Sequence, residues 1–394
     1  MPDGKIAFVP PRYGDDVVGG SEQLSRDAAH GLAGRGWDVE VLTTQARNHY
    51  TWDNEYPGGT TTVDGVTVRR FPTVRTWASV EAERLERRVQ MGERLTIEEQ
   101  LAWVNGRFRV PDLFHHLVLH ASEYRAIVFS PYLFWTTIVG TAAAPERTIV
   151  IPCLHDETYA HLDVVRPVMA DVADVWFLSE PEHQLAHRLG PLAARHAVTG
   201  SGVEIPERYD ADGARARLGL RNPFIYYGGR REGGKGWEWL LDAFAAAVAR
   251  YRLPFDLVTT GVGPVHAPPS IADRVIDLGF LDRREIPNVF AAADAYVQPS
   301  RMESFSFTIM EAWLAGTPVI ANGESDVVTW HCERSGAGLT YHDWFEFAEC
   351  LRFLAEAPEA ARKLAASGRD YVLEHYRWDA VLDAMEARLE EMPA

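Results

Sequence analysis

The sequence predicts an α/β protein built of two doubly wound, Rossmann-like parallel-sheet domains, and three observations predict it. Short apolar runs of strand length alternate with stripes of helical spacing along most of the chain, the pattern of a parallel sheet covered by helices on both faces. The chain has 394 residues, which at roughly 150 residues per domain suits two. The alternation loosens once, over residues 191–219, into Gly, Pro and charged residues, and then begins again.

Taken in order, the first strand is Ile6-Ala-Phe-Val9. After a loop holding Gly14, Gly19 and Gly20, apolar Leu24, Ala28 and Leu32 recur at helical spacing, Gly34 and Gly36 are C-cap candidates, and Val39-Glu-Val-Leu42 resumes a strand. From 75 to 120 the rhythm breaks into a charge-rich helical insertion, with Val80, Leu85, Val89 and Leu95 interleaved among the charges. Strands return at Ala126-Ile-Val-Phe129, Thr148-Ile-Val-Ile151 and Val175-Trp-Phe-Leu178. The second series comprises Pro223-Phe-Ile-Tyr-Tyr227, Phe255-Asp-Leu-Val258, Val275-Ile-Asp-Leu278, Ala295-Tyr-Val-Gln298 and Pro318-Val-Ile-Ala321. Helices lie between them, as in the stripe Trp237, Leu240, Leu241, Phe244 and Val248. This gives one domain over 1–205, carrying the insertion, and a second over 206–375. Open parallel sheets bind ligands beyond the carboxyl ends of their strands, so two such domains are expected to form a cleft.

Composition narrows the partners. Apolar residues make 46% and charged residues 24%, ordinary globular usage that excludes disordered and collagenous classes. The formal net charge of −17 repels phosphate backbones, so no nucleic acid partner is expected. Cys153, Cys332 and Cys350 are odd in number and widely spaced. No Cys-x-x-Cys and no histidine pair at zinc spacing accompanies them, so they read as reduced thiols and no metal is expected. With neither a signal-peptide pattern nor a stretch long enough to span a bilayer, a cytoplasmic protein is expected.

Two constellations carry chemistry. The strand ending at Tyr227 runs into Gly228-Gly-Arg-Arg-Glu-Gly-Gly-Lys-Gly236, which places Gly229, Arg230 and Lys235 at the mouth of a sheet. A guanidinium fork and an ammonium there can clamp a diphosphate. Taken alone, the run also fits a glycine-rich surface turn, and it lacks the residue order of a Walker P-loop. The second constellation is Glu303-Ser-Phe-Ser-Phe-Thr-Ile-Met-Glu311. A helix starting near Ser306 points unpaired N–H groups at an anion, with Glu303 in the loop before it and Glu311 about one and a half turns in. Either Glu alone also fits a solvated charge. Both together suit sugar and ribose hydroxyls.

These residues, with Gly279-Phe280, Pro299-Ser300, Ala312, Gly316 and Pro318-Val-Ile320, resemble retaining glycosyltransferases of family 4 and their Glu-x7-Glu motif. The N-terminal half carries a thinner likeness in Gly19-Gly20, His155-Asp156, Ser179-Glu180 and Gly202-Val-Glu204. The resemblance implies the GT-B fold, two facing Rossmann-like domains with the nucleotide sugar held mainly by the second and a terminal helix over 376–394 crossing back to the first. It implies that Arg230 and Lys235 contact the diphosphate, Glu311 the ribose and Glu303 the transferred sugar. N–H groups near Phe305 and Ser306 cap the distal phosphate, and Ser304 and Phe307 also line the substrate site. Gly19 and Gly20 approach the same phosphates, and His155, oriented by Asp156, sits beside the reacting carbon. Two positions depart from the family pattern: Ser306 stands where many relatives carry Gly, and Ser201-Gly-Val-Glu204 where they carry Asn-Gly-Val-Asp.

The implied function is transfer of a hexose or N-acetylhexosamine from a UDP- or GDP-linked donor to a hydroxyl acceptor, by front-face substitution with no metal or cofactor. The acceptor is a carbohydrate, a lipid-linked glycan or a small metabolite. An epimerase on the same scaffold and a non-catalytic nucleotide-sugar-binding protein are the alternatives. The mixed-sign insertion reads as an acceptor wall or a homodimer surface, with membrane contact at most peripheral. Trp77, Trp103, Phe108, Tyr132, Phe134 and Trp135 offer stacking faces or core packing. His183 and His187 read as surface or packing histidines.

Overall fold

Strand formation follows the apolar runs. The computed structural model describes residues 4–17, 19–75 and 80–392, so Trp77 lies outside the described residues. The chain divides into two units, Met1–Gly202 with Trp378–Ala394, and Val203–Arg377.

The first unit holds β1 (Lys5–Val9), β2 (Asp38–Thr44), β3 (Gly59–Val63), β4 (Val66–Phe71), β5 (Tyr124–Phe129), β6 (Thr148–Val150), β7 (Asp174–Phe177) and β8 (His196–Val198). Their order in the sheet is β3-β4-β2-β1-β5-β6-β7-β8, parallel throughout except for β3 against β4. The antiparallel β3–β4 hairpin departs from the expected all-parallel sheet. Its turn is Asp64-Gly65, both at positive φ (45° and 85°), the conformation whose twist matches a hairpin and which Asp-Gly favours. The insertion folds as helices Val80–Gln90, Ile97–Gly106 and Pro111–His120, the second opened by a reciprocal Thr96–Glu99 capping box. Leu85, Val89 and Trp103 join the core beneath them. Phe108, Tyr132 and Trp135 are core as well, with Phe134 packed against them, and Phe108 stacks on Trp52 at 3.8 Å between ring centroids. Those aromatic faces are therefore spent on packing. The final helix, Trp378–Glu390, docks through Arg388, whose guanidinium meets the buried Asp174 carboxylate at 2.6 and 2.9 Å.

The second unit holds β9 (Phe224–Gly228), β10 (Asp256–Thr260), β11 (Val275–Asp277), β12 (Ala295–Gln298), β13 (Val319–Asn322) and β14 (Leu339–Tyr341), all parallel, in the order β11-β10-β9-β12-β13-β14. Counted within the unit this is 3-2-1-4-5-6, the doubly wound order in which the winding reverses between the first and fourth strands. The crevice at that reversal, beyond the carboxyl ends of β9 and β12, is where such sheets hold ligands. Helix Trp237–Tyr251 lays Trp237, Leu240, Leu241, Phe244 and Ala247 into the core. Among the described residues, no helix is long and apolar enough to cross a membrane.

Candidate functional site

The loop leaving β9 is held by its backbone. Gly229 N donates to Thr260 O at 3.1 Å and Arg231 N to Val262 O at 2.8 Å, which ties the loop to the end of β10. The two consecutive arginines then part. Arg231 is buried, with its Nε donating to Gly263 O at 2.9 Å and its guanidinium 3.1 Å from Asp277. Arg230 is exposed, with Glu232 3.2 Å away. Arg231 thus fixes the loop and Arg230 faces solvent.

A short helical turn, Gly233–Lys235, leads to Gly236, whose φ of 72° opens helix Trp237–Tyr251. A Cβ at Gly236 would lie 2.6 Å from Pro299 O, so the loops after β9 and β12 pass in backbone contact, where only glycine fits. That approach brings Lys235 Nζ to 2.8 Å from Glu303 Oε1. Two residues 68 positions apart are thereby joined at the switch point.

Beyond β12 the chain reaches helix Phe307–Leu314 through Ser306, which takes the left-handed conformation (φ 67°) and makes no side-chain cap hydrogen bond. The position therefore asks for the glycine that the family pattern carries. What holds a serine there is Gln298, whose Nε2 donates to Ser306 Oγ at 2.8 Å and to Thr308 Oγ1 at 3.1 Å. With no side chain capping them, the first N–H groups of this helix are open to an anion. The Phe305 ring is buried against Phe307, His331 and Tyr376, which leaves its backbone as the part able to meet a ligand; Ser304 is half-buried.

Glu311 is half-buried, and no hydrogen bond or ion pair engages its carboxylate among the described residues. Burial pushes its carboxyl up to about 7, with Glu204 adding and Arg283 opposing. It is a carboxyl with free lone pairs, ready for a hydroxyl donor.

In the first unit, Gly19 and Gly20 open helix Gly20–Gly34 just beyond β1, and a Cβ at Gly19 would meet the Glu22 carboxylate at 2.2 Å. His155 follows β6, half-buried. The expected Asp156–His155 contact is not made: Asp156 is exposed and pairs with His161 at 3.0 Å, while Glu157 Oε1 lies 3.6 Å from His155 Nδ1. The reason is local. Glu157 N donates to His155 O at 2.9 Å, a three-residue turn that folds the side chain two positions on back over the histidine.

Three structural residues escape the sequence reading. Arg231 and Gln298 are two of them. The third, Glu182, is buried with its carboxylate accepting from Leu154 N at 2.6 Å and from Leu178 N, which fastens the His155 loop to the end of β7. Burial pushes this carboxyl up to about 8 against the pull of those N–H groups. Its signal in the sequence is the Ser179-x-x-Glu182 capping pattern. The expectation that no histidine pair stands at zinc spacing needs correction at His183 and His187. They do have zinc-like spacing, and the sheet order brings His196 beside them.

Comparison with known proteins bears on this arrangement. Residues 222–356, most of the second unit, match the family model described as "Glycosyl transferases group 1". A D-inositol 3-phosphate glycosyltransferase of Saccharomonospora viridis is 29% identical over 214 residues, 50% of this chain and 49% of the relative. A 2-deoxystreptamine glucosyltransferase of Streptomyces kanamyceticus is 34% identical over 220 residues, 48% of this chain and 57% of the relative. The alignments thus span about half the length of these relatives. Among solved structures, sucrose-phosphate synthase of Thermosynechococcus elongatus has a TM-score of 0.74 at 20% identity, covering 99% of both chains. HepE of Anabaena, solved in complex with UDP and glucose, has a TM-score of 0.72 at 20% identity, covering 99% of this chain and 100% of its own. These are likenesses of fold, and the fold is GT-B.

Proposed function

We propose that the protein is a retaining glycosyltransferase that moves a hexosyl group from a nucleoside diphosphate sugar to a hydroxyl acceptor. The observation that carries the reading is the Lys235–Glu303 pair beside the uncapped start of helix Phe307–Leu314, at the switch point of the second sheet. Breaking the bond between the anomeric carbon and the diphosphate oxygen leaves negative charge on phosphate and positive charge on the sugar ring. Arg230, Lys235 and the helix N-terminus stabilise the first charge. Glu303 takes sugar hydroxyls and Glu311 the ribose. In front-face substitution the acceptor oxygen bonds the anomeric carbon on the side the phosphate leaves. The acceptor proton passes to the departing phosphate oxygen, so configuration is retained and no protein base is consumed.

HepE, also solved in complex with UDP-glucose, makes that sugar nucleotide the first donor to try, and the names of the two relatives make cyclitols the first acceptors. The test is proton NMR of the product formed from UDP-α-glucose and a panel of cyclitols. The expected product is an α-glucoside, with transfer falling ~100- to 1,000-fold in Lys235→Ala, the scale of losing one leaving-group stabiliser, and falling also in His155→Ala. A β-product, isomerised donor without transfer, or an active Lys235→Ala would each overturn the reading.

A further inference from the structure

The edge of the first sheet carries a cluster that this function does not use. His183 and His187 are one turn apart on helix Glu180–Leu189, so their rings project from the same face, and His196 opens the adjacent edge strand β8. One ring nitrogen from each lies within 4.8 Å of the others. Nε2 of His183 and Nε2 of His187 are 3.0 Å apart, so their lone pairs oppose each other unless a proton or a cation stands between them. Ligand nitrogens about 2.0–2.1 Å from one zinc ion, at tetrahedral to octahedral angles, are separated by roughly 2.8–3.4 Å. The 3.0 Å between His183 and His187 falls within that range, and one ring nitrogen of His196 lies within 4.8 Å of both.

The outer contacts agree. His196 Nδ1 lies 2.8 Å from Ala193 O, a bond that fixes the proton on Nδ1 and leaves Nε2 as a ligand. The Nδ1 of His183 is buried and makes no hydrogen bond. Glu180 Oε1 stands 3.6 Å from it, in place to accept its proton once Nε2 is committed to a cation. A carboxylate or carbonyl behind each imidazole is the usual arrangement around bound metal. His187 is exposed, which gives an entry path from solvent and leaves a coordination position open to water.

We propose that His183, His187 and His196 form a binding site for one borderline divalent transition-metal ion of the zinc class, clamping the helix to the edge strand. Three imidazoles with no carboxylate in the first sphere favour such ions over Mg²⁺ or Ca²⁺.

The test is equilibrium dialysis of the untagged full-length protein against Zn²⁺, with bound metal counted by mass spectrometry, and Co²⁺ titration read by visible absorption. One equivalent per chain is expected, with affinity falling at least ~10-fold in His187→Ala and in His196→Ala and by about the same in Glu180→Gln. His161→Ala, at another exposed histidine, is expected to bind as the parent does. Because His187 is exposed, its removal leaves the fold intact, and circular dichroism verifies this. No stoichiometric binding by the parent, or undiminished binding by His187→Ala, would overturn the proposal.

Discussion

Gly236→Ala tests how the second unit assembles its site. Gly236 sits at φ 72°, a conformation that costs an L-residue roughly 1–2 kcal/mol. The new Cβ would lie 2.6 Å from Pro299 O, 2.9 Å from Pro299 C and 3.0 Å from Pro299 Cβ. None of these is the free end of a flexible side chain, so the loops after β9 and β12 must separate, at a further ~1–3 kcal/mol typical of overpacking. The expected loss is therefore about 2–5 kcal/mol, read as a fall in the urea midpoint of the second unit's transition at unchanged slope. Separation of the loops also parts Lys235 from Glu303, so transfer is expected to fall even where the variant remains folded. Gly234→Ala is the control, since nothing lies within 4 Å of its would-be Cβ; it is expected to stay within about 0.5 kcal/mol of the parent. Equal stability of the two variants would refute the claim that backbone contact at Pro299 sets the site.

The two neighbouring arginines are expected to behave oppositely. Arg230→Ala keeps its melting temperature and loses transfer, whereas Arg231→Ala loses roughly 2–3 kcal/mol, less than a fully buried pair because Asp277 is partly in water. Ser306→Gly exchanges a left-handed serine for a relaxed glycine and loses one hydrogen bond from Gln298, so it is expected within about 1 kcal/mol of the parent. Ser306→Ala keeps the strain and loses the bond, and urea titration is expected to rank it below both. Glu311 gives a pH test. Its folded-state value, about 7, lies above the ordinary 4.5, so its stabilising contribution is full below pH 4.5 and is lost as pH rises through 7. If, as proposed, the ionised Glu311 takes the ribose hydroxyls, UDP-glucose affinity is expected to rise about tenfold between pH 6 and 8, and to be flat in Glu311→Gln by calorimetry.

Much of the fold is legible from period alone. The long apolar runs that became β1, β2, β5, β9, β10, β12 and β13 are buried by helices, and their residues announce it. Four strands escape: β3 is nearly all threonine and exposed, β8 and β14 have three residues each, and β4, though six residues long and inside the sheet, has its apolar run broken by Thr67, Arg69 and Arg70, so each carries little burial signal. The hairpin's Asp64-Gly65 turn was nonetheless written in the sequence. At the site, residue types at Arg230, Lys235, Glu303 and Glu311 are readable from spacing, but pairings are not. Which of two adjacent arginines is buried depends on Asp277, and which acid lies beside His155 depends on a turn three residues long. The histidine trio needs the order of β7 and β8, which no local pattern supplies.

A crystal structure of the protein with UDP tests the central claim most directly. The account expects a β-phosphate oxygen within about 3 Å of both Lys235 Nζ and a backbone N–H in the first turn of helix Phe307–Leu314, with the Glu311 carboxylate on the ribose. A pyrophosphate bound away from Lys235, or a ribose that never meets Glu311, would contradict it.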